Sequence, residues 1–137
     1  MSDDQESTPV ASKDLARLRE LRLLLLRLHK ELLELERLEY ERVSGRVNAG
    51  ELLQLAVSDP RFAWLRMISA LVVEIDELAG REAPTSRSEF TELISQTRQL
   101  LSAPTDDAFK TKYQAALQRE PAVVMAHSAI IQLLKQS

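Results

Sequence analysis

The stretch LARLRELRLLLLRLHKELLELERL, residues 15–38, decides the fold of this chain. Its leucines recur in alternating steps of three and four residues, a spacing that keeps one side of an α-helix apolar. Gly45 is a suitable residue for ending such a helix. We therefore predict a helix from Ser12 to Ser44 with a coiled-coil-type seam. The seam consists of Leu18, Leu21, Leu25, Leu28, Leu32 and Leu35.

Five further helices are predicted downstream, each beginning at a residue that can cap or start a helix. These residues are Asn48 with Glu51, Asp59 with Pro60, Ser86 with Glu89, Thr105, and Pro121 after Glu120. No stretch shows the sustained two-residue alternation of a β-strand. We predict an all-α fold, an antiparallel bundle of four long helices and two short ones around the leucine-rich first helix.

The length of 137 residues is that of one domain. The segment Met1–Ala11 is polar and acidic, which favours a disordered N-terminal tail. Residues 12–137 form the predicted single helical-bundle domain. A hydrophobic fraction of 45% with only 4% aromatic residues indicates an aliphatic core.

Charge and cysteine content restrict the class of protein. The net charge of −3 gives no argument for nucleic-acid binding. The chain has no cysteine, which excludes disulfides and thiol nucleophiles and fits a reducing, cytoplasmic compartment. No span approaches the roughly 18 apolar residues of a membrane helix, and the first residues do not resemble a signal peptide.

Catalytic signatures are missing from the sequence. It has no glycine-rich phosphate loop, no nucleophile elbow and no H-E-x-x-H pair, so we expect a non-enzymatic protein. The two histidines, His29 and His127, have only apolar residues three and four positions away, so neither has a second metal ligand on its own helix. We expect no metal and no cofactor. Two histidines on apolar helical faces do leave haem as an alternative ligand.

Two other groups of residues are interpreted as structural. Glu36, Glu39 and Tyr40 could form an acid–base cluster, but the arginines around them are typical of a solvated helix end. The second and third helices, joined at Ser58–Asp59–Pro60, superficially resemble a helix-turn-helix with Arg61 and Arg66. Acidic residues on the third helix argue against DNA binding.

The breadth of the apolar surface on the first helix is the most informative functional feature. Besides the seam it carries further leucines on both flanks, more than a helix at the edge of a monomeric bundle needs. We therefore predict a helical protein–protein interaction module, an adaptor, regulator or assembly subunit, that forms a homodimer or higher oligomer. The predicted interface is Leu24, Leu28, Leu35 and Leu38. The alternative function is a bundle that holds haem or a small apolar molecule between its helices.

Overall fold

The computed structural model describes residues 9–136, and 84% of these residues are helical. Its α-helices are α1 (Ser12–Ser44), α2 (Ala49–Ser58), α3 (Arg66–Gly80), α4 (Arg87–Ser102), α5 (Asp107–Arg119) and α6 (Pro121–Lys135). A 3-10 helix, Pro60–Leu65, precedes α3. No strand occurs within the described range, which holds one isolated bridge between Pro9 and Ser86. The all-α prediction is confirmed.

The first helix is the centre of the molecule. It packs against α3, against α6 and against the 3-10 helix, and α4 closes the other side by contacting α3 and α6. Arg22 of α1 pairs with Asp76 near the end of α3, whereas Glu36 meets Trp64 just before α3 begins. The two helices are therefore antiparallel. Arg17, near the start of α1, donates a hydrogen bond to the carbonyl oxygen of Leu133, near the end of α6, so α6 is also antiparallel to α1.

The core follows the leucine seam over most of its length. Leu18, Leu21, Leu25, Leu28 and Leu32 are at most 2% exposed. Burying each is worth about 1.5–3 kcal/mol, so these five side chains are a large part of the driving force for folding. At the end of the seam the structure departs from the prediction. Leu35 is only partly buried, and Glu36 takes the inward position beside it.

The predicted starts of α2, α4 and α6 are confirmed, and those of α3 and α5 are wrong. Asp59–Pro60 begins the 3-10 helix, and α3 starts at Arg66. Asn48 with Glu51, and Ser86 with Glu89, form the two capping boxes. The cap of α5 is Asp106, whose carboxylate accepts a hydrogen bond from the Phe109 amide at 2.9 Å, and not Thr105. Residues 105–107 are Thr, Asp and Asp, and each of these residue types can cap a helix, so the sequence alone does not determine which of them is the cap.

The predicted tail ends earlier than Ala11. The Val10 side chain is buried, and its amide donates to the Thr85 carbonyl oxygen at 3.1 Å. Pro9 bridges to Ser86 just before α4. The prediction of a disordered tail is therefore wrong for these last residues, because Val10 packs into the core next to the segment that precedes α4. For residues 1–8 the prediction lies outside the described part of the chain.

The helix α1 is longer than α3, and other parts of the chain cover the C-terminal end of α1 that extends beyond α3. Tyr40 packs on Phe62 of the 3-10 helix with ring centroids 6.0 Å apart. The Glu41 carboxylate accepts from the Val47 amide at 3.0 Å, which holds the connection to α2. α5 also reaches this end through the pair Arg119–Glu39. The leucines left without cover are therefore on the outward face of α1.

Candidate functional site

Three leucines on the outward face of α1 are exposed. Leu23, Leu26 and Leu38 are accessible to 62%, 39% and 48%. At 100° per residue they fall within about 120° of one another, on the side opposite the core seam. We call these three residues the outer leucines. A surface helix normally carries polar residues on this side, so the outer leucines are apolar surface that the fold itself does not use.

The predicted interface residues lie in different environments. Leu38 is one of the outer leucines, and Leu24 and Leu35 are partly buried against the core. Leu28 is 0% exposed. It packs inside the chain and offers no surface to a second molecule, so the sequence assigned it to the wrong face. Leu23 and Leu26 were missed as interface candidates, although their angular position opposite the seam was readable from the sequence.

Charged side chains surround the outer leucines and change sign along the helix. The N-terminal half exposes Arg19, Arg27 and Lys30 together with one acidic residue, Glu20. The C-terminal half carries Glu34 and Glu41, with Arg37 bound to both. The hydrogen bond from Arg37 lowers the pKa of the Glu34 carboxyl, so this carboxylate stays ionised under mildly acidic conditions. The outward face thus has a basic end and a more acidic end.

A buried polar cluster lies between α1, α5 and the 3-10 helix. Glu36 is 7% exposed, and one of its carboxylate oxygens accepts from the Trp64 indole N–H at 3.3 Å and from the Lys112 ammonium. Lys112 also donates to the Arg61 carbonyl oxygen at 3.2 Å and lies 5.9 Å from the centre of the Trp64 ring. The interpretation of Glu36 as part of a solvated helix end is wrong, because α5 brings a cation over it.

This cluster has the chemistry of a structural contact. A small groove of about 240 Å³ opens beside it, bordered by Glu39 and Arg119, which are 3.3 Å apart. The hydrogen bond from Arg119 lowers the pKa of the Glu39 carboxyl. Acid–base catalysis with two carboxylates requires environments that keep one of them protonated. Here each carboxylate has a cation beside it, Lys112 for Glu36 and Arg119 for Glu39, and the structure shows no environment that sets the two apart in this way.

His127 is paired with a tyrosine. The Tyr113 hydroxyl and His127 Nδ1 are 2.7 Å apart, between α5 and α6. Burial raises the pKa of Tyr113 and lowers the pKa of His127. The hydroxyl therefore keeps its proton, and it shares one hydrogen bond with a neutral imidazole. Sequence reasoning could not find this pair, since the two residues are on different helices.

His29 faces another part of the molecule. It belongs to the row Arg22, His29 and Glu36, whose outer members contact Asp76 and Trp64 on the α3 side of α1. Burial lowers the pKa of His29. His29 thus shares the α3 side of α1 with Arg22 and Glu36, whereas His127 lies beside Tyr113 between α5 and α6.

An apolar groove gives the alternative function a more suitable location. It has a volume of about 390 Å³, opens between α3 and α4, and is lined by Met67, Leu71, Leu100 and Pro104 among others. That volume is within the range of small-molecule sites, about 300–1,000 Å³. Both histidines are outside this groove, so a ligand there would be held by apolar contacts.

In the segment that superficially resembles a helix-turn-helix, Arg66 stabilises the connection between α2 and the 3-10 helix. Arg66 donates to the carbonyl oxygens of Ala56 at 3.2 Å and Asp59 at 3.0 Å. Phe62 and Trp64 of the same segment are buried. The distinctive run SDPRFAWLR, residues 58–66, is therefore the 3-10 helix and its flanking contacts, which fix α2 against the start of α3.

Within residues 9–136 there is no group of three or more potential metal-ligating His, Asp or Glu side chains. No helix among the described residues is long and apolar enough to cross a membrane. No known family model matches the chain, and comparison with curated proteins and with solved structures gives no significant match.

Proposed function

We propose that this chain is a non-enzymatic helical interaction module of the cytoplasm that associates with a second copy of itself through the outward face of α1. In such a role it would serve as an adaptor, regulator or assembly subunit. The observation that carries the proposal is the exposure of the outer leucines, Leu23, Leu26 and Leu38. They lie on α1, which packs against α3, α6 and the 3-10 helix. The backbone that carries them is therefore already ordered, and binding costs little further conformational entropy.

Charge favours a second copy, in antiparallel orientation, as the occupant of this face. An antiparallel pair of α1 helices centred on Lys30 and Glu31 places Leu23 of one copy opposite Leu38 of the other. The same register places Arg27 of each copy opposite Glu34 of the other, so that opposite charges meet near the centre of the contact, whereas Glu20 faces Glu41 at its ends. A contact of this kind is a short antiparallel pair of packed helices.

The expected affinity is modest. Six half-exposed leucines, three from each copy, contribute about 1 kcal/mol each when they are buried. Their total is of the same order as the entropic cost of association, about 4–15 kcal/mol. Charge pairs at the rim of the contact add at most about 1 kcal/mol each. We therefore expect a weak dimer that dissociates on dilution rather than a permanent one.

The proposal is tested by placing charge in the contact. Leu23→Glu with Leu38→Glu should abolish the dimer in light scattering, because four buried carboxylates would have to be desolvated. The matched control is Val73→Glu with Val57→Glu, which changes exposed side chains on α3 and α2 by the same charge. Circular dichroism should show folded protein for both variants. A dimer that survives the first double variant and is lost with the second would contradict the proposal.

The groove between α3 and α4 supports the second candidate, binding of a small apolar molecule. Its apolar lining, which includes Met67, Leu71 and Leu100, would be in contact with such a ligand. Ala70→Trp should fill the groove and abolish the fluorescence increase of an apolar dye that binds there. Unchanged dye binding by this variant would remove the groove as the site.

A further inference from the structure

A second concave surface of the molecule is strongly cationic. It is a groove of about 460 Å³ between the start of α1, α4 and the end of α6. Lys13, Arg17, Arg87 and Arg98 line it, together with a single acidic residue, Asp14. The groove therefore has a surplus of three positive charges, although the whole chain has a net charge of −3. Such a local concentration of one sign attracts and orients an anion.

The arginines of the groove are already arranged around oxygen atoms. The Asp14 carboxylate, 3% exposed, accepts from Arg17 at 3.0 Å and from Arg87 at 3.1 Å. Arg98 donates to the carbonyl oxygen of Leu134 at the end of α6, at 2.9 Å. A guanidinium has five N–H donors. Arg87 and Arg98, both exposed, thus keep donors for a ligand while their present contacts fix their positions.

The floor of the groove is apolar and its wall is polar. Phe90 and Ile94 form the floor, and the side chains of Thr91 and Ser95 line the wall along α4. An anionic ligand that also carries an apolar side chain would therefore match both parts of the surface. A peptide with carboxylates on either side of a leucine has this combination, and guanidinium groups bind carboxylates in well-defined geometry.

The surroundings of the groove favour a short ligand. On the other side of α4, Glu74, Glu77, Glu89 and Glu92 line a second groove with α3. A helix is about 10–12 Å wide, more than the Debye length of about 8 Å at physiological salt, so these carboxylates repel only an anion that extends around α4 beyond the cationic groove. A nucleic acid or an anionic membrane would meet this repulsion, whereas a few acidic residues would not.

We propose that the cationic groove between α1, α4 and the end of α6 binds a short acidic peptide segment of a partner protein. This binding site is separate from the proposed self-association surface, because none of the residues that line the groove is one of the outer leucines. The acidic segment lies along α4 with its carboxylates on Lys13, Arg87 and Arg98 and an apolar side chain over Phe90 and Ile94.

The test uses a fluorescein-labelled peptide Gly-Asp-Glu-Leu-Asp-Glu-Gly and the full chain, with fluorescence anisotropy as the readout. Binding should weaken as salt rises, and the peptide with Asn and Gln in place of its acids should bind at least about tenfold more weakly. Lys13→Gln with Arg98→Gln should weaken binding of the acidic peptide at least about fivefold, since two ion pairs are lost. The charge-matched control, Arg46→Gln with Lys110→Gln, should bind like the unaltered protein.

Three outcomes would overturn the proposal: no binding of the acidic peptide, equal binding of the neutral peptide, or equal weakening by the control variant. Tighter binding of a single-stranded oligonucleotide of equal charge would assign the groove to another class of partner and would also overturn it. The titration is repeated with the Leu23→Glu, Leu38→Glu variant. Because that variant tests self-association separately, a failure of one proposal leaves the other intact.

Discussion

At the scale of single residues, the pair Glu36–Lys112 is the contact that the sequence conceals most completely. Glu36 is followed by Arg37 and Glu39 on a charge-rich stretch, so its local sequence indicates solvent. Its burial depends on Lys112, which is on α5 and far away in the chain. Periodicity places a residue on a face of its helix, but it does not say which partner covers that face.

We predict that Lys112→Met destabilises the fold by about 1–2 kcal/mol. The substitution leaves the buried Glu36 carboxylate without its cation, and the partial exposure of Lys112 moderates the cost. The double variant Glu36→Gln with Lys112→Met should recover part of the loss. Urea denaturation measures both, and a single variant that unfolds at the same midpoint as the original protein would show that the ion pair contributes nothing.

The two histidines should make stability depend on pH. Burial lowers the pKa of both His29 and His127 in the folded chain, so below about pH 6.5 the unfolded chain binds protons that the folded chain does not. Their contribution is therefore complete above that pH and is lost as the pH falls towards the lower folded values. Carboxylates such as Glu89, with a pKa lowered to about 2, lose their contribution at more acidic pH.

The expected result is a urea midpoint that falls between about pH 7.5 and pH 5.5. In His29→Gln with His127→Gln this fall should be much smaller, because the groups that take up the protons are gone. An equally steep fall in the double variant would assign the pH dependence to other residues.

At the scale of elements, the sequence was most informative where helix periodicity and capping agree. The bounds of α1 and the starts of α2, α4 and α6 were predicted at the residues where the structure has them. The 3-10 helix before α3 was missed, since Asp59–Pro60 is as good a start for it as for an α-helix. Val10 was missed because one apolar residue in a polar segment has no periodicity.

The start of α5 gives a prediction with an internal control. Asp106→Ala should cost about 1 kcal/mol of stability, because the Phe109 amide loses its acceptor at the positive end of the helix. Thr105→Ala, one residue earlier and exposed, should cost less than about 0.5 kcal/mol. Thermal or urea denaturation compares the two. A larger loss for Thr105→Ala would return the cap to the position expected from the sequence.

At the scale of the whole molecule, apolar and charged side chains are separated into distinct regions. The seam of α1 forms the core, the outer leucines remain exposed, and α4 separates a cationic groove from an acidic one. The sequence indicated that α1 has more apolar surface than one bundle needs. It could not say which leucines are left over, because that depends on how α5, α6 and the 3-10 helix pack around α1.

The central claim, self-association through α1, is tested most directly by the mass of the unaltered protein in solution. Multi-angle light scattering or sedimentation equilibrium should be carried out from about 1 μM to about 1 mM, the range in which a weak helix pair dissociates. We predict a mass that rises with concentration from the 15.5 kDa of the single chain towards twice that value. A mass that stays at 15.5 kDa over the whole range would contradict the account.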